Sequence, residues 1–275
     1  MRRGWKIFWI VCGMMVAIGL ACCAVAWGMG VTTNMIHNRF PYGIGWVSNG
    51  DSGPVAGDIH ESFTGVTEID MELSAGKVIF KEGSGSDIQI DTKKLSKRLG
   101  FKCYMDGSEL KLESRKRLNG LNSIGGGTIT VTIPKDMAFE EVSLSMGAGS
   151  MEIEKIQARD LSVNVGAGEV VIDSFLADEA DFECGAGSIT ARGEVTGEAD
   201  LQCGVGSIEY TAFGQETEYN YDIECGIGEI VCGANSYSGL GRDQRIDNGA
   251  VREINIEGGV GSVIVNFDAN ASHHN

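Results

Sequence analysis

Beyond residue 62 the chain alternates. "VTEIDMELSAGKVIF", "DIQIDT", "ELKLES" and "TITVTIP" place apolar side chains at every second position. A period of two, rich in β-branched residues, predicts strands that bury one face. No segment after residue 31 carries the three-to-four spacing of an amphipathic helix.

A longer repeat lies over the alternation. Gly-x-Gly occurs at Gly147-Ala148-Gly149, Gly166-Ala167-Gly168, Gly185-Ala186-Gly187, Gly204-Val205-Gly206, Gly226-Ile227-Gly228 and Gly259-Val260-Gly261. The first four copies are 19 residues apart, and the next gaps of 22 and 33 imply insertions of 3 and 14 residues in turns. "SAGKVIF", residues 74–80, resembles the same unit. Before each motif every second residue is mostly apolar, as in Val142, Leu144, Met146 or Ala180, Phe182, Cys184. The inward phase is expected to pass through the first glycine to Ala186 and its counterparts. It then slips by one and resumes at Ile189 and Ala191. A slip at one fixed point is a strand turning a corner. Gly149, Gly168, Gly187, Gly206, Gly228 and Gly261 are placed at that corner, where glycine permits positive φ or close backbone approach.

A unit of 19 residues with two short strands cannot enclose a core alone, but copies stacked on one another can. The predicted fold is all-β: a parallel β-solenoid, β-helix-like, with rungs of about 19 residues. Six regular rungs would make a rod segment of about 29 Å. Residues 63–135 are expected to add broader, less regular coils. Glycine is 40 of 275 residues while proline is only 3, a bias that suits a regular fold with many corners better than disorder.

The first residues follow a different rule. Arg2, Arg3 and Lys6 precede 25 uncharged residues, Ile7 to Val31. As a helix these would reach about 37 Å, against a hydrocarbon core of about 30 Å. Trp5, Trp9 and Trp27 lie near the ends, where indoles favour the interface. The expected organisation is a cytoplasmic stub (1–6), one transmembrane α-helix (7–31), a Gly-rich juxtamembrane linker (32–62), an extracellular β-solenoid (63–267) and a polar tail (268–275). The positive residues before the span place the N-terminus in the cytoplasm of a plasma-membrane, single-pass protein. Two alternatives are a cleaved signal peptide and a lipoprotein cut before Cys22 or Cys23. The first would have a shorter apolar region. The second lacks a large apolar residue three positions before Cys22, and its apolar run continues eight residues past Cys23.

Charge narrows the partners. Lys+Arg is 22 against Asp+Glu 38, a formal −16. There is no basic footprint for nucleic acid. In the solenoid frame Asp181, Asp200 and Asp222 share one outward position and form a row, with Glu183 and Glu224 beside them. Screening by water and salt is the bland outcome, and a bridging divalent cation the sharp one. Cys184, Cys203 and Cys225 share one inward position and form a buried ladder of small apolar side chains. Three thiols on a line do not supply four converging zinc ligands. Five cysteines follow the span, so pairing among them leaves one over. None of the Gly-x-Gly motifs continues into a nucleotide-binding loop. The histidines, His37, His60, His273 and His274, fall in the linker and tail, so no Ser/His/Asp or Cys/His set assembles. Arg159 and Arg192 are the basic residues at hand for a polysaccharide-cleaving site. No cofactor, no resident metal and no catalytic residue is expected. The 233–252 insertion, "GANSYSGLGRDQRIDNGAVR", is the candidate recognition loop. The final rung "INIEGGVGSVIVNF" has only a short tail after it, which makes the solenoid ends candidates for self-association.

"ITVTIPKDMAFEEVSLSMGAGSMEIEKI", "LSVNVGAGEVVI", "DFECGAGSITA" and "DLQCGVGSIEYTA" resemble the bacterial putative-adhesin family of unknown function, over residues 63–267. The resemblance implies a glycine-punctuated solenoid outside the cell behind one membrane span, and it brings no catalytic residues. It implies a non-catalytic binding or adhesin-like cell-envelope module whose partner is a protein or cell-wall polymer. Some relatives sit beside envelope-stress signalling systems, so a regulatory partner of such a system is the alternative. A carbohydrate-active enzyme is a third reading.

Overall fold

Period-two burial runs through the chain: inward residues such as Ile69, Met71 and Leu73 are buried while Asp70 and Glu72 face out. The computed structural model describes residues 58–97, 99–114, 127–238 and 242–271. The predicted stub, the span and linker residues 32–57 lie outside the described residues, as does the end of the tail. Among the described residues, no helix is long and apolar enough to cross a membrane. Linker residues 60–62 belong to a strand, β1 (His60–Phe63), which pairs antiparallel with β4 (Ile88–Lys93).

Numbered in chain order, β1–β19 form one sheet that coils. Two stacks of parallel strands carry it. The first holds, in spatial order, β6 (Glu109–Glu113), β2 (Glu68–Leu73), β8 (Phe139–Met146), β10 (Ile156–Val165), the second half of β11 (Glu169–Cys184), the second half of β12 (Ser188–Cys203), β18 (Arg252–Gly258) and β14 (Tyr219–Cys225). The second holds β7 (Thr128–Pro134), β3 (Gly76–Gly83), β9 (Gly149–Ile153), the first halves of β11 and β12, β13 (Ser207–Phe213), β19 (Ser262–Asp268) and β15 (Glu229–Cys232). A corner joins the two arms of a rung. Eight rungs at the ordinary interstrand spacing give a stack of about 34 Å.

Rung order departs from chain order at both ends. After β15 the chain folds back as β16 (Asn235–Ser238) and β17 (Arg242–Ile246), antiparallel to β15 and β14. That reversed rung occupies the outer edge of β14 and β15. The last rung, β18–β19, therefore enters on their inner edge, between them and β12–β13. The other end is its mirror. A reversed rung, β4 and β5 (Lys102–Asp106), covers β7 and β6, and the first rung, β2–β3, lies one step inside. This overturns the expectation that "INIEGGVGSVIVNF" ends the rod. Both ends are closed by antiparallel strands with charged residues on them, including Glu61, Lys93, Lys102 and Asp243, a pattern that blunts edge pairing. The 233–252 insertion supplies one of these caps.

The corners explain the glycines. A Cβ on Gly187 would lie 2.2 Å from the Gly168 carbonyl oxygen, and one on Gly206 2.2 Å from that of Gly187. Gly168, Gly228 and Gly261 meet the rung beside them in the same way. Of the six corner residues only Gly149 has positive φ, at 121°. Close vertical approach, rather than a left-handed turn, is thus the general requirement. The middle residue of each corner points outward: Ala186 is exposed, and burial resumes at Ile189. The expected inward phase at Ala186 is incorrect, because the corner bulges and the chain skips from Cys184 to Ile189 before facing the core again.

Aromatic side chains fill the core beside the bends. Phe175 packs edge-on against Phe182 at 5.4 Å and against Tyr210 at 5.7 Å. Gly193 leaves room for the Phe175 ring, which a Cβ would meet at 2.3 Å, and its carbonyl accepts from the Tyr210 hydroxyl at 3.3 Å. The three extra residues before β14 fit a 3-10 turn, Glu216–Glu218. Arg252, opening the intercalated rung, pairs with Glu194 at 2.7 Å and stacks over the Tyr219 ring. It clasps β18 to the strands on both sides.

Candidate interaction surface

The outer face of the first stack is a grid of columns, because parallel register repeats each outward position on every rung. One column reads Glu109, Glu68, Glu141, Asp160, Glu179, Glu198 and Glu253. The next reads Lys111, Asp70, Ser143, Ser162, Asp181, Asp200, Asn255 and Asp222. Vertical neighbours sit about 4.8 Å apart, so like charges here repel.

Bases relieve the two ends of the grid. Lys111 lies 3.1 Å from Asp70 and 3.0 Å from Glu109. Arg245, from the cap, lies 3.8 Å from Asp222 and 3.6 Å from Glu253. The middle has less relief. Glu141, Asp160, Glu179, Asp181, Glu198 and Asp200 line a shallow concavity of about 260 Å³. Partial burial, then the neighbouring Asp200 and Glu183, push the Asp181 carboxyl above its ordinary value.

Rung intercalation breaks the expected row. Asp181 and Asp200 are direct neighbours, but Asn255 stands between Asp200 and Asp222. The Asn255 amide donates to Asp200 at 2.8 Å and also to Glu198. An amide donor, rather than a third carboxylate, therefore stands beside Asp200 on that rung. Among the described residues, no group of three or more His, Cys, Asp or Glu side chains is arranged to hold a metal ion.

The thiol ladder is interrupted likewise. Cys184 and Cys203 are in register, 1% and 3% exposed, but Gly258 separates Cys203 from Cys225. The Cys225 thiol donates to the Gly228 carbonyl at 3.4 Å. Burial pushes the Cys203 thiol up. Cys232, also buried and near Glu216, is pushed up to about 12. Cys103 is pushed up to about 12 by burial and by Glu61. Arg159 is held by Asp160 at 2.8 Å and Arg192 reaches Asp268 at 3.3 Å. His60 lies against Asp91.

Two features of this surface do not follow from alternation. The Glu141–Asp160–Glu179–Glu198 column lies six residues before successive Gly-x-Gly motifs, an offset that marks it in the sequence. Val205, Ile227 and Val260, which alternation assigns inward, are 67%, 60% and 59% exposed.

The family model Toastrack DUF4097 matches residues 66–263. The chain belongs to that family. Among solved structures it is similar to a putative cell adhesion protein of Clostridium sporogenes, with 14% identity over 77% of this chain and 99% of that one, at a TM-score of 0.42. A putative adhesin of Bacteroides fragilis shares 15% identity over 77% and 98% of the two chains, at a TM-score of 0.36. One from Parabacteroides distasonis shares 13% over 76% and 96%, at 0.39. No curated protein matches the chain.

Proposed function

We propose that this Toastrack-family chain is a membrane-anchored, surface-exposed binding module of the cell envelope, adhesin-like and non-catalytic, whose acidic end engages a protein or cell-wall polymer. The observation that carries the reading is the partition of charge along the rod. Among the described residues of 58–135 there are 8 Lys or Arg against 11 Asp or Glu, a formal −3. Residues 136–271 hold 6 against 26, a formal −20. The first block builds the two rungs and the cap at one end, where β1 brings the chain in. The second block builds all the rest. The strongly acidic block is the part of the domain that an anionic bilayer would repel, an effect screened within about 8 Å.

The tests are topological and functional. Protease added to intact cells should remove residues 63–267 from the surface. Protection until lysis would overturn surface exposure. Exchanging residues 7–31 for an unrelated span should leave ligand capture intact. Loss of function on that exchange, with the domain still displayed, would point instead to regulation through the span.

A further inference from the structure

The corner residue between the two glycines supplies an internal control. In spatial order the stacked corners carry Ala75, Ala148, Ala167, Ala186, Val205, Val260 and Ile227. Their backbones are linked by bonds such as Val205 N–H to Gly185 O, Val260 N–H to Gly204 O and Ile227 N–H to Gly259 O, each 2.8 Å. Four rungs manage this position with alanine. Among the described corners, the three at the acidic end, remote from β1, carry branched apolar side chains, and these stand in solvent. The fold does not need the extra methyl groups, since the same corner closes without them four times. Glycines on both sides bear no side chain, so the three residues project as a bare ridge.

Acids flank that ridge. Glu224 and Glu257 stand on one side, and Glu229 and Glu209 on the other, all exposed. Glu224, Glu229 and Glu257 have no Lys or Arg partner among the described residues. A second copy of the chain would bring like charge and is disfavoured. A fitting partner covers three apolar groups and brings positive charge to both sides.

Length decides the partner's form. Three stacked corners span two rung steps, about 9.6 Å. Apolar residues at i, i+3/i+4 and i+7 of a helix span about 10.5 Å, whereas i, i+2 and i+4 of a strand span about 13 Å. We infer that the Val205–Val260–Ile227 ridge is a docking surface for a basic amphipathic α-helix of a partner protein, laid along the rod axis with its apolar stripe on the ridge and its Lys or Arg residues over the flanking glutamates. This rests on the binding role proposed above but not on the membrane span.

The test uses the purified full-length chain, in zwitterionic detergent where residues 7–31 require it. The probe is an 18-residue peptide with Leu at i, i+3/i+4 and i+7 and Lys on both flanks. A scrambled peptide of equal composition is the comparison. The helical peptide should bind at least tenfold tighter than the scrambled one. The V205A/V260A/I227A triple variant, whose charge is unchanged, should lose at least tenfold while keeping its Tm. Val205→Thr with Val260→Thr keeps the branched shape and should lose affinity in the same direction. Equal binding of both peptides, or of wild type and triple variant, would leave only charge attraction and overturn the proposal. Vesicles of phosphatidylglycerol distinguish a lipid surface: adhesion to them that vanishes in the triple variant would overturn it too.

Discussion

Asp181 shows how stacking turns an unremarkable surface carboxylate into a titrating one. Its neighbours are fixed by register, with Asp200 on the next rung and Glu183 two residues along. Its carboxyl titrates above its ordinary value, so the folded state disfavours the charged form. The penalty is fully present above the folded value. As pH falls through that value the folded state takes up its proton before the unfolded chain does, and stability recovers. Asp181→Asn should raise Tm at neutral pH by about 1–3 °C, since like-charge pairs on a sheet cost below about 1 kcal/mol. The gain should shrink as pH approaches the ordinary carboxylate range, which thermal melts across pH would read. The thiols give the opposite kind of test. Cys103 and Cys232, both pushed up to about 12, should be alkylated roughly a thousandfold more slowly at pH 8 than an ordinary cysteine, because the thiolate is the reactive form. Peptide mapping after a brief iodoacetamide pulse, with and without urea, measures this. Labelling of both in the native state at the urea rate would show that the core around them opens.

The corner is the element whose logic is most legible in the sequence, apart from one detail. A 19-residue recurrence of Gly-x-Gly, with period-two burial on either side, fixes strand, corner and strand without any structure. The orientation of the middle residue does not follow from periodicity, because the pattern itself breaks at the bend. Alternation carried across a corner assigns Ala186 inward, whereas the bulge turns it out. The vertical contacts of the glycines were also invisible, since they arise between rungs and not within one. They yield a sharp prediction. Gly187→Ala sets a methyl group 2.2 Å from the Gly168 carbonyl oxygen and 2.8 Å from its nitrogen. Backbone must shift in two rungs, which should cost about 3 kcal/mol, or roughly 6–12 °C in Tm. Ala186→Val, one residue away and exposed, should change stability by less than about 0.5 kcal/mol. Equal effects at the two positions would mean that the corners relax independently of their neighbours.

For the whole molecule, rung order was the part that sequence could not reach. Repeat spacing reports which segments are rungs, but every rung presents similar edges to its neighbours. Spacing therefore cannot say which rung lies beside which. Chain order is the default, and here reversed strands at each end displace it. β16 and β17 occupy the outer edge of β14–β15, so the final rung finds its free edge inside. The consequence reaches the surface, because Asn255 comes to divide the acidic column, and Val260 comes to lie between Val205 and Ile227. The order itself is testable with exposed pairs that leave the core alone. Gln202 is in register with Glu257, and Glu257 in turn with Glu224. Adjacent rungs hold Cα atoms about 4.8 Å apart, within disulfide reach, whereas rungs two apart stand about 9.6 Å away, beyond the roughly 7 Å limit. Gln202→Cys with Glu257→Cys should therefore cross-link under mild oxidation, and so should Glu224→Cys with Glu257→Cys. Gln202→Cys with Glu224→Cys should remain reduced. Stacking in chain order exchanges these outcomes: β14 would lie directly on β12, position 202 would bond to 224, and 202 with 257 would stay open. Peptide mapping of the three double variants decides between the two orders, and the native thiols Cys184, Cys203, Cys225 and Cys232, buried in the core, serve as an internal reference for specificity.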